Sequence, residues 1–290
     1  MYYPISLGYN YLRWEVPSLY IVATPIGNLE DISLRALRVL KEVDLIAAED
    51  TRRTRCLLSA YNIKTRLTSY HEHNKKAKLP YLLEQLEQKD IALVSEAGMP
   101  GLSDPGYELI VAAIERGIPV VPIPGASALT TALVVSGLRI DRFIYLGFLP
   151  ARAGERRRLL ESVADQPYTI VAFEAPHRLT ASLKDIRETL GDRQLAVCRE
   201  LTKLHEEVFR GTISEAIDHF VQPRGEFTLV IAGGKAEETE PDAEIEQKLS
   251  ELYHQGTSAK EAVSRISRTT GIRRKKLYQT WLKIAGGTER

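Results

Sequence analysis

The chain has 290 residues, 44% of them hydrophobic and 27% charged, with 39 Lys or Arg against 38 Asp or Glu. That length suits about two domains with a sizeable core, and the balance excludes collagen-like, largely disordered and histone-like proteins. No apolar run approaches the roughly 18 residues of a membrane span, no secretory pattern opens the chain, and two cysteines (Cys56 and Cys198) suit a reducing, cytoplasmic setting.

Residues 1–18 are aromatic but aperiodic and stay unassigned. Beyond them, short β-rich apolar runs predict strands at 19–23, 44–48, 67–70, 91–95, 120–123, 143–146, 168–173, 195–198 and 227–232. Helical spacing predicts helices at 32–41, at 107–116 before Gly117 and at 179–190 before Gly191, the glycines serving as stops. Strands alternating with helices mean an α/β architecture with largely parallel sheets. The body is expected to divide near residues 126–138 into two lobes, 19–130 and 131–234.

An acidic, proline-containing stretch, 235–243, reads as a linker. From Glu246 onward there are ten Lys or Arg against four Asp or Glu, a net of +6 that leaves −5 for residues 1–245. Within this basic module, 244–290, helices are predicted at 244–255, from Ser258-Ala259-Lys260-Glu261 (capping-box spacing) and at 273–284. The third opens Arg273-Arg274-Lys275-Lys276, so the module reads either as a helix-turn-helix or as a small solvated three-helix cap.

In open α/β sheets ligands bind beyond the carboxyl ends of strands, and the unusual loops fall there. They are Thr24-Pro25-Ile26-Gly27-Asn28, Glu49-Asp50-Thr51-Arg52-Arg53, His71-Glu72-His73-Asn74, the Gly/Pro-rich segment 95–106, and Pro124-Gly125-Ala126-Ser127. In 95–106, Gly98 and Gly101 allow close backbone approach to a ligand, and Asp104-Pro105 reads as the cap and first residue of the following helix. The chain contains no Gly-x-Gly-x-x-Gly, no Walker A sequence, no Gly-x-Ser-x-Gly and no His-Glu-x-x-His. His71 and His73 lack a third ligand of suitable spacing, so a structural or hydrogen-bonding role is expected of at least one of them, and no metal. Asp50 and Glu72 suit either loop caps or general bases. Arg152 and Arg156–Arg158 form a basic cluster that, with the tail, suggests a polyanion partner.

Ala23-Thr24-Pro25-Ile26-Gly27-Asn28-Leu29, Ala48-Glu49-Asp50-Thr51-Arg52, segment 95–106 and Arg199-Glu200-Leu201-Thr202-Lys203, in that order, resemble the signatures of the bacterial 16S ribosomal RNA cytidine 2′-O-methyltransferases, within the tetrapyrrole methylase superfamily. The resemblance spans residues 19–234, and the tail is similar to that family's helix-turn-helix domain. It implies a two-lobed tetrapyrrole-methylase-like α/β fold with a cleft between the lobes, a small C-terminal all-α domain, S-adenosylmethionine as methyl donor, and a homodimer. The substrate it implies is 16S ribosomal RNA in the small ribosomal subunit.

By that likeness, cofactor contacts map to Pro25, Gly27, Glu96, Ala97, Gly98, Asp104, Pro105, Ser127 and Ala128, with Ala175 and Leu201 from the second lobe. Glu96 stands where the family has Asp, and Ala175 where it has Ser. Asp50, Glu49 and His71 are candidate bases and Lys203 a candidate cation for the developing alkoxide, with Asp50 and Lys203 preferred. Arg52, Arg53, Arg156, Arg157, Arg158, Arg273, Arg274, Lys275 and Lys276 are candidate phosphate contacts. The competing readings are C-methylation of a porphyrin-like small molecule and a helix-turn-helix regulator whose α/β body senses a ligand.

Overall fold

In the computed structural model the described residues are 16–234, 243–270 and 274–286. The unassigned start up to residue 15, the expected linker through residue 242, and Arg273 lie outside them.

The first lobe runs β1 (Leu19–Val22), α1 (Leu34–Glu42), β2 (Leu45–Ala48), α2 (Thr51–Ala60), β3 (Arg66–Ser69), α3 (Lys75–Leu86), β4 (Ile91–Val94), α4 (Tyr107–Glu115) and β5 (Val120–Ile123). Its five strands pair in parallel in the order β3-β2-β4-β1-β5. The central strands β1, β2 and β4 are short and apolar because both faces are covered. Ile46, Ala48, Ala92 and Val94 join one buried cluster with Val39 and Leu40 of α1, while Leu45, Ala47, Ile91 and Leu93 join another with Leu82 of α3 and Leu109 of α4. Each such Leu or Ile contributes about 1.5–3 kcal/mol on burial, so two filled faces hold the sheet rigid behind its loops.

After α5 (Ala128–Val135) the second lobe runs β6 (Phe143–Phe148), α6 (Ala153–Glu161), β7 (Thr169–Glu174), α7 (Leu179–Leu190), β8 (Gln194–Arg199), β9 (Glu207–Thr212), α8 (Ile213–His219) and β10 (Phe227–Ile231). The order is β6-β7-β10-β8-β9, with only β6 and β7 parallel among the pairs formed. This corrects the expectation of largely parallel sheets. The seven residues between β8 and β9 are too few for a helical crossover, so the chain turns back beside itself. β9, Glu-Val-Phe-Arg-Gly-Thr, escapes sequence reading because as an edge strand it is only partly buried and lacks an apolar run. α5 packs Leu129, Ala132 and Leu133 onto Val171, Ala196 and Val230 of this sheet, with Ile26 of the first lobe in the same cluster.

Contacts group the chain into two compact units: the described residues up to Arg158 with Thr169–Ala232, which contain both sheets, and Leu159–Tyr168 with the described residues from Gly233 on. The latter contains α9 (Ala243–His254), α10 (Ala259–Thr270) and α11 (Arg274–Gly286), packed around Leu249, Val263, Ile266, Leu277 and Trp281. Ser258 accepts from the Glu261 N–H at 3.3 Å, capping α10 where the spacing predicts it. No helix among the described residues is long and apolar enough to cross a membrane.

Candidate active site

The loops after β1 and β4 hold each other by backbone. Thr24 and Gly98 exchange hydrogen bonds of 2.9 and 3.0 Å, and the buried Ser95 hydroxyl donates to the Gly98 carbonyl at 3.3 Å. Segment 95–106 then coils, and α4 begins only at Tyr107 with Gly106 as its cap at φ +151°. A Cβ on Gly106 would lie 2.9 Å from Leu93 Cδ2, so this turn needs glycine. Asp104-Pro105 therefore does not start the helix, contrary to the sequence expectation. The Asp104 carboxyl faces a cavity instead.

That cavity encloses about 450 Å³, within the roughly 300–1,000 Å³ typical of small-molecule sites. Glu96, Ala97, Gly98 and Asp104 line it from the β4 loop, Ser127 and Ala128 from the start of α5, and Ala175 and Leu201 from the second lobe. These eight nominated cofactor residues are thus brought together. Pro25, Gly27 and Pro105 are not on its wall. Gly27 instead lies against the Leu201–Lys203 turn, where a Cβ would run into Lys203 Cγ and lie 2.8 Å from Thr202 Oγ1. Thr202 Oγ1 also accepts from the Asn28 N–H at 3.1 Å, tying the lobes together there.

The wall includes residues that the sequence reading did not nominate: Met99, Phe148, Phe173, Glu174, Cys198, Phe227 and Thr228 among them. Phe227 and Thr228 open β10. Because β10 is antiparallel to its neighbours, Phe227 sits opposite Glu174 and Arg199, the last residues of β7 and β8. Strand direction is decided by pairing, and nothing in residues 227–231 announces it. Burial pushes the Cys198 thiol up to about 11, leaving it a neutral wall group.

Charge is concentrated on one side. Burial, reinforced by the negative charges of Glu49 and Glu96 and opposed by a hydrogen bond from Ser95, raises the Asp104 carboxyl to about 7. Glu49, also on the wall, accepts from the Glu96 N–H at 3.1 Å, while Glu96 is paired with Arg53. Neither Glu49 nor Asp104 has an ion-pair partner among the described residues. A cation entering the cavity would meet two uncompensated carboxyls.

The other proton-transfer candidates lie differently. Asp50 caps α2, accepting from the Arg52 and Arg53 N–H groups at 2.7 and 3.3 Å, and these backbone donors hold it below the usual carboxylate range. Neither Asp50 nor Lys203 lines the cavity. Burial works against the Lys203 charge, but hydrogen bonds to Glu200 and Glu226, each at 3.0 Å, outweigh it and raise its pKa. His71 is also off the wall; its backbone N–H donates to Asn74 Oδ1 at 2.8 Å and its ring stands edge-on to His73.

Among the candidate phosphate contacts, Arg52 and Arg53 are exposed at the start of α2 and Arg158 is exposed on α6. Arg156 is corrected: it is buried, bonded through Nε to Asp185 at 2.7 Å and through Nη1 to the Pro150 carbonyl at 3.0 Å, so it fastens α6 to α7. Arg157 is half-exposed but shares Asp185 and reaches Glu188 at 3.0 Å. Arg274, Lys275 and Lys276 lie on α11.

The sequence matches the family described as Tetrapyrrole (Corrin/Porphyrin) Methylases over residues 18–217. It is 46% identical over 279 residues to the ribosomal RNA small subunit methyltransferase I of Halalkalibacterium halodurans, covering 93% of this chain and 96% of that one. It is 47% identical over 272 residues to the protein of the same name from Synechocystis sp., covering 92% and 98%. The fold is similar to a crystal structure of diphthine synthase, with a TM-score of 0.60 at 16% identity over 74% of this chain and 89% of that one.

Proposed function

The chain belongs to the ribosomal RNA small subunit methyltransferase I family within the tetrapyrrole methylases, and on that premise we propose that it transfers a methyl group from S-adenosylmethionine to the 2′-oxygen of a cytidine ribose in 16S ribosomal RNA. The observation that carries this reading is the relatedness to the small subunit methyltransferases over 93% of this chain. The donor would supply an electrophilic methyl on a cationic sulfur. The cavity suits such a group: close-packed backbone at Ala97 and Gly98 allows near approach, Met99, Phe173 and Leu201 offer apolar surface, and Glu49 and Asp104 offer unpaired carboxyls to a positive charge.

The same carboxyls bear on the acceptor. A porphyrin-like ring bearing several carboxylates would meet repulsion from Glu49, whereas a ribose hydroxyl would not. Holding that hydroxyl in line with the methyl is chiefly positioning catalysis. A carboxyl poised near neutrality in a cavity is matched to proton acceptance at working pH. We therefore assign the hydroxyl proton to the Glu49–Asp104 pair rather than to Asp50, whose carboxylate is engaged by α2. Arg52, Arg53, Arg158 and the basic tail would contact phosphates, adding affinity that falls with salt. The divisions at 19–130, 131–234 and 244–290 are kept as the proposed domains, and a second copy of the chain as the proposed partner.

Mass mapping of ribose methyls in small-subunit RNA from cells with and without the gene tests the reading. Loss of one cytidine 2′-O-methyl, restored by purified protein with S-adenosylmethionine, is expected. An unchanged methyl map refutes it.

A further inference from the structure

β6 carries one residue too many for its partner. Its register on β7 runs Phe143 to Thr169, Ile144 to Ile170 and Tyr145 to Val171, then resumes with Phe148 opposite Phe173. Three steps on β6 match two on β7, which defines a bulge. Gly147 takes the extra step at φ +67°, and a Cβ there would lie 3.2 Å from Ser103 Oγ. Ser103 is itself held against β6 by a 2.6 Å hydrogen bond with the Tyr145 hydroxyl.

The bulge changes which way Phe148 points. In an unbroken strand, residues three apart face opposite sides of the sheet. Here Tyr145 and Phe148 share a side and flank Phe173 edge-on, each with ring centroids 5.4 Å away. Phe148 is thereby turned onto the wall of the cavity, yet it remains 55% exposed. Leu102, 40% exposed, lines the same cavity from the β4 loop. An aromatic ring backed by a second ring, half in water and continuous with the donor cavity, is a surface for another flat ring.

We propose that Phe148, supported by Phe173, is the platform on which the base of the acceptor nucleotide stacks, an inference that rests on the RNA methyltransferase reading above. A nucleotide whose ribose is to reach a buried methyl must leave its neighbours in the RNA, and an aromatic side chain replaces the stacking it gives up. Charge sets the orientation. The negative charge of Glu49 on the wall disfavours phosphate there, so base and sugar point inward over Phe148 while the phosphates stay outside.

The test compares wild type with Phe148→Ala, Phe148→Leu and Phe148→Trp. It measures KM and kcat for methylation of small ribosomal subunits, and by calorimetry the Kd of S-adenosylhomocysteine. Alanine and leucine are expected to raise KM for the subunit by roughly tenfold, with the Kd of the homocysteine product within about twofold of wild type, and tryptophan to restore KM. An unaltered product Kd also shows that the variants are folded. A raised product Kd with unchanged subunit KM would mean that the ring holds the donor's adenine, and overturns the proposal. So would a leucine variant indistinguishable from wild type, or no change in any variant. If wild type itself fails to methylate small subunits, the RNA reading fails, and that outcome is distinct from an active wild type with indifferent variants.

Discussion

Asp104 offers the sharpest quantitative test of the cavity's electrostatics. Its carboxyl rises from 3.8 to about 7 on folding because burial and the neighbouring charges of Glu49 and Glu96 disfavour the anion. At about 1.36 kcal/mol per pH unit, a rise of that size corresponds to roughly 4 kcal/mol, and partial solvent contact at the cavity wall reduces it to about 2 kcal/mol. The sign follows from proton counting. Below pH 3.8 the group is neutral in both states and costs nothing. Between about 4 and 7 the unfolded chain releases a proton that the native state keeps, so the native state loses stability as pH rises, until the loss is complete above about 7. Asp104→Asn removes the titration. Urea unfolding of both proteins from pH 4 to pH 8 should give nearly equal stabilities at the acid end and an asparagine variant about 2 kcal/mol more stable at the alkaline end. A stability difference that does not change across this range would refute the assignment of a raised pKa to Asp104. If S-adenosylmethionine is the donor, as proposed, the same variant should lose affinity for that cation more than for S-adenosylhomocysteine, whose sulfur is neutral.

Asp50→Asn keeps a side-chain oxygen for the Arg52 and Arg53 N–H groups and should preserve both folding and turnover, whereas Asp50→Ala should lower the unfolding midpoint; loss of turnover in a folded asparagine variant would return Asp50 to the role of base. Gly27→Ala should destabilise the protein by about 1–3 kcal/mol, read by urea unfolding, because its Cβ meets Lys203 and Thr202 side chains inside contact distance. Arg156→Met should cost about 3 kcal/mol by stripping Asp185 of its buried partner, with no change in the salt dependence of RNA binding. Arg158→Ala should leave the melting temperature alone and reduce that salt slope by about one.

Much of this molecule can be read locally. Runs such as Leu45–Ala48 and Ile91–Val94 are apolar at every position because both faces are buried, and so they announce strands without any knowledge of their neighbours. Ser258 with Glu261 marks the start of α10, and the glycines after α4 and α7 mark where those helices stop, since capping and left-handed turns depend on a few adjacent residues. The loops at strand ends pointed to the first-lobe half of the cavity for the same reason: in a parallel sheet, every carboxyl end lies on one edge.

What needed the third dimension was whatever depends on pairing. The direction of β10 decides that Phe227 and Thr228, at its beginning, reach the cavity, and direction is a property of the neighbours rather than of the strand. Arg156 is in sequence one arginine among three; only its distance to Asp185, 29 residues on, removes it from the surface. Asp104 looks like a helix cap until Gly106 is seen to start α4, and its raised pKa comes from burial, reinforced by Glu49 across the loops. Phe148 reaches the cavity only because β6 slips one residue against β7. Short-range chemistry specified the elements; burial and charge, which sum over residues distant in the chain, specified the site.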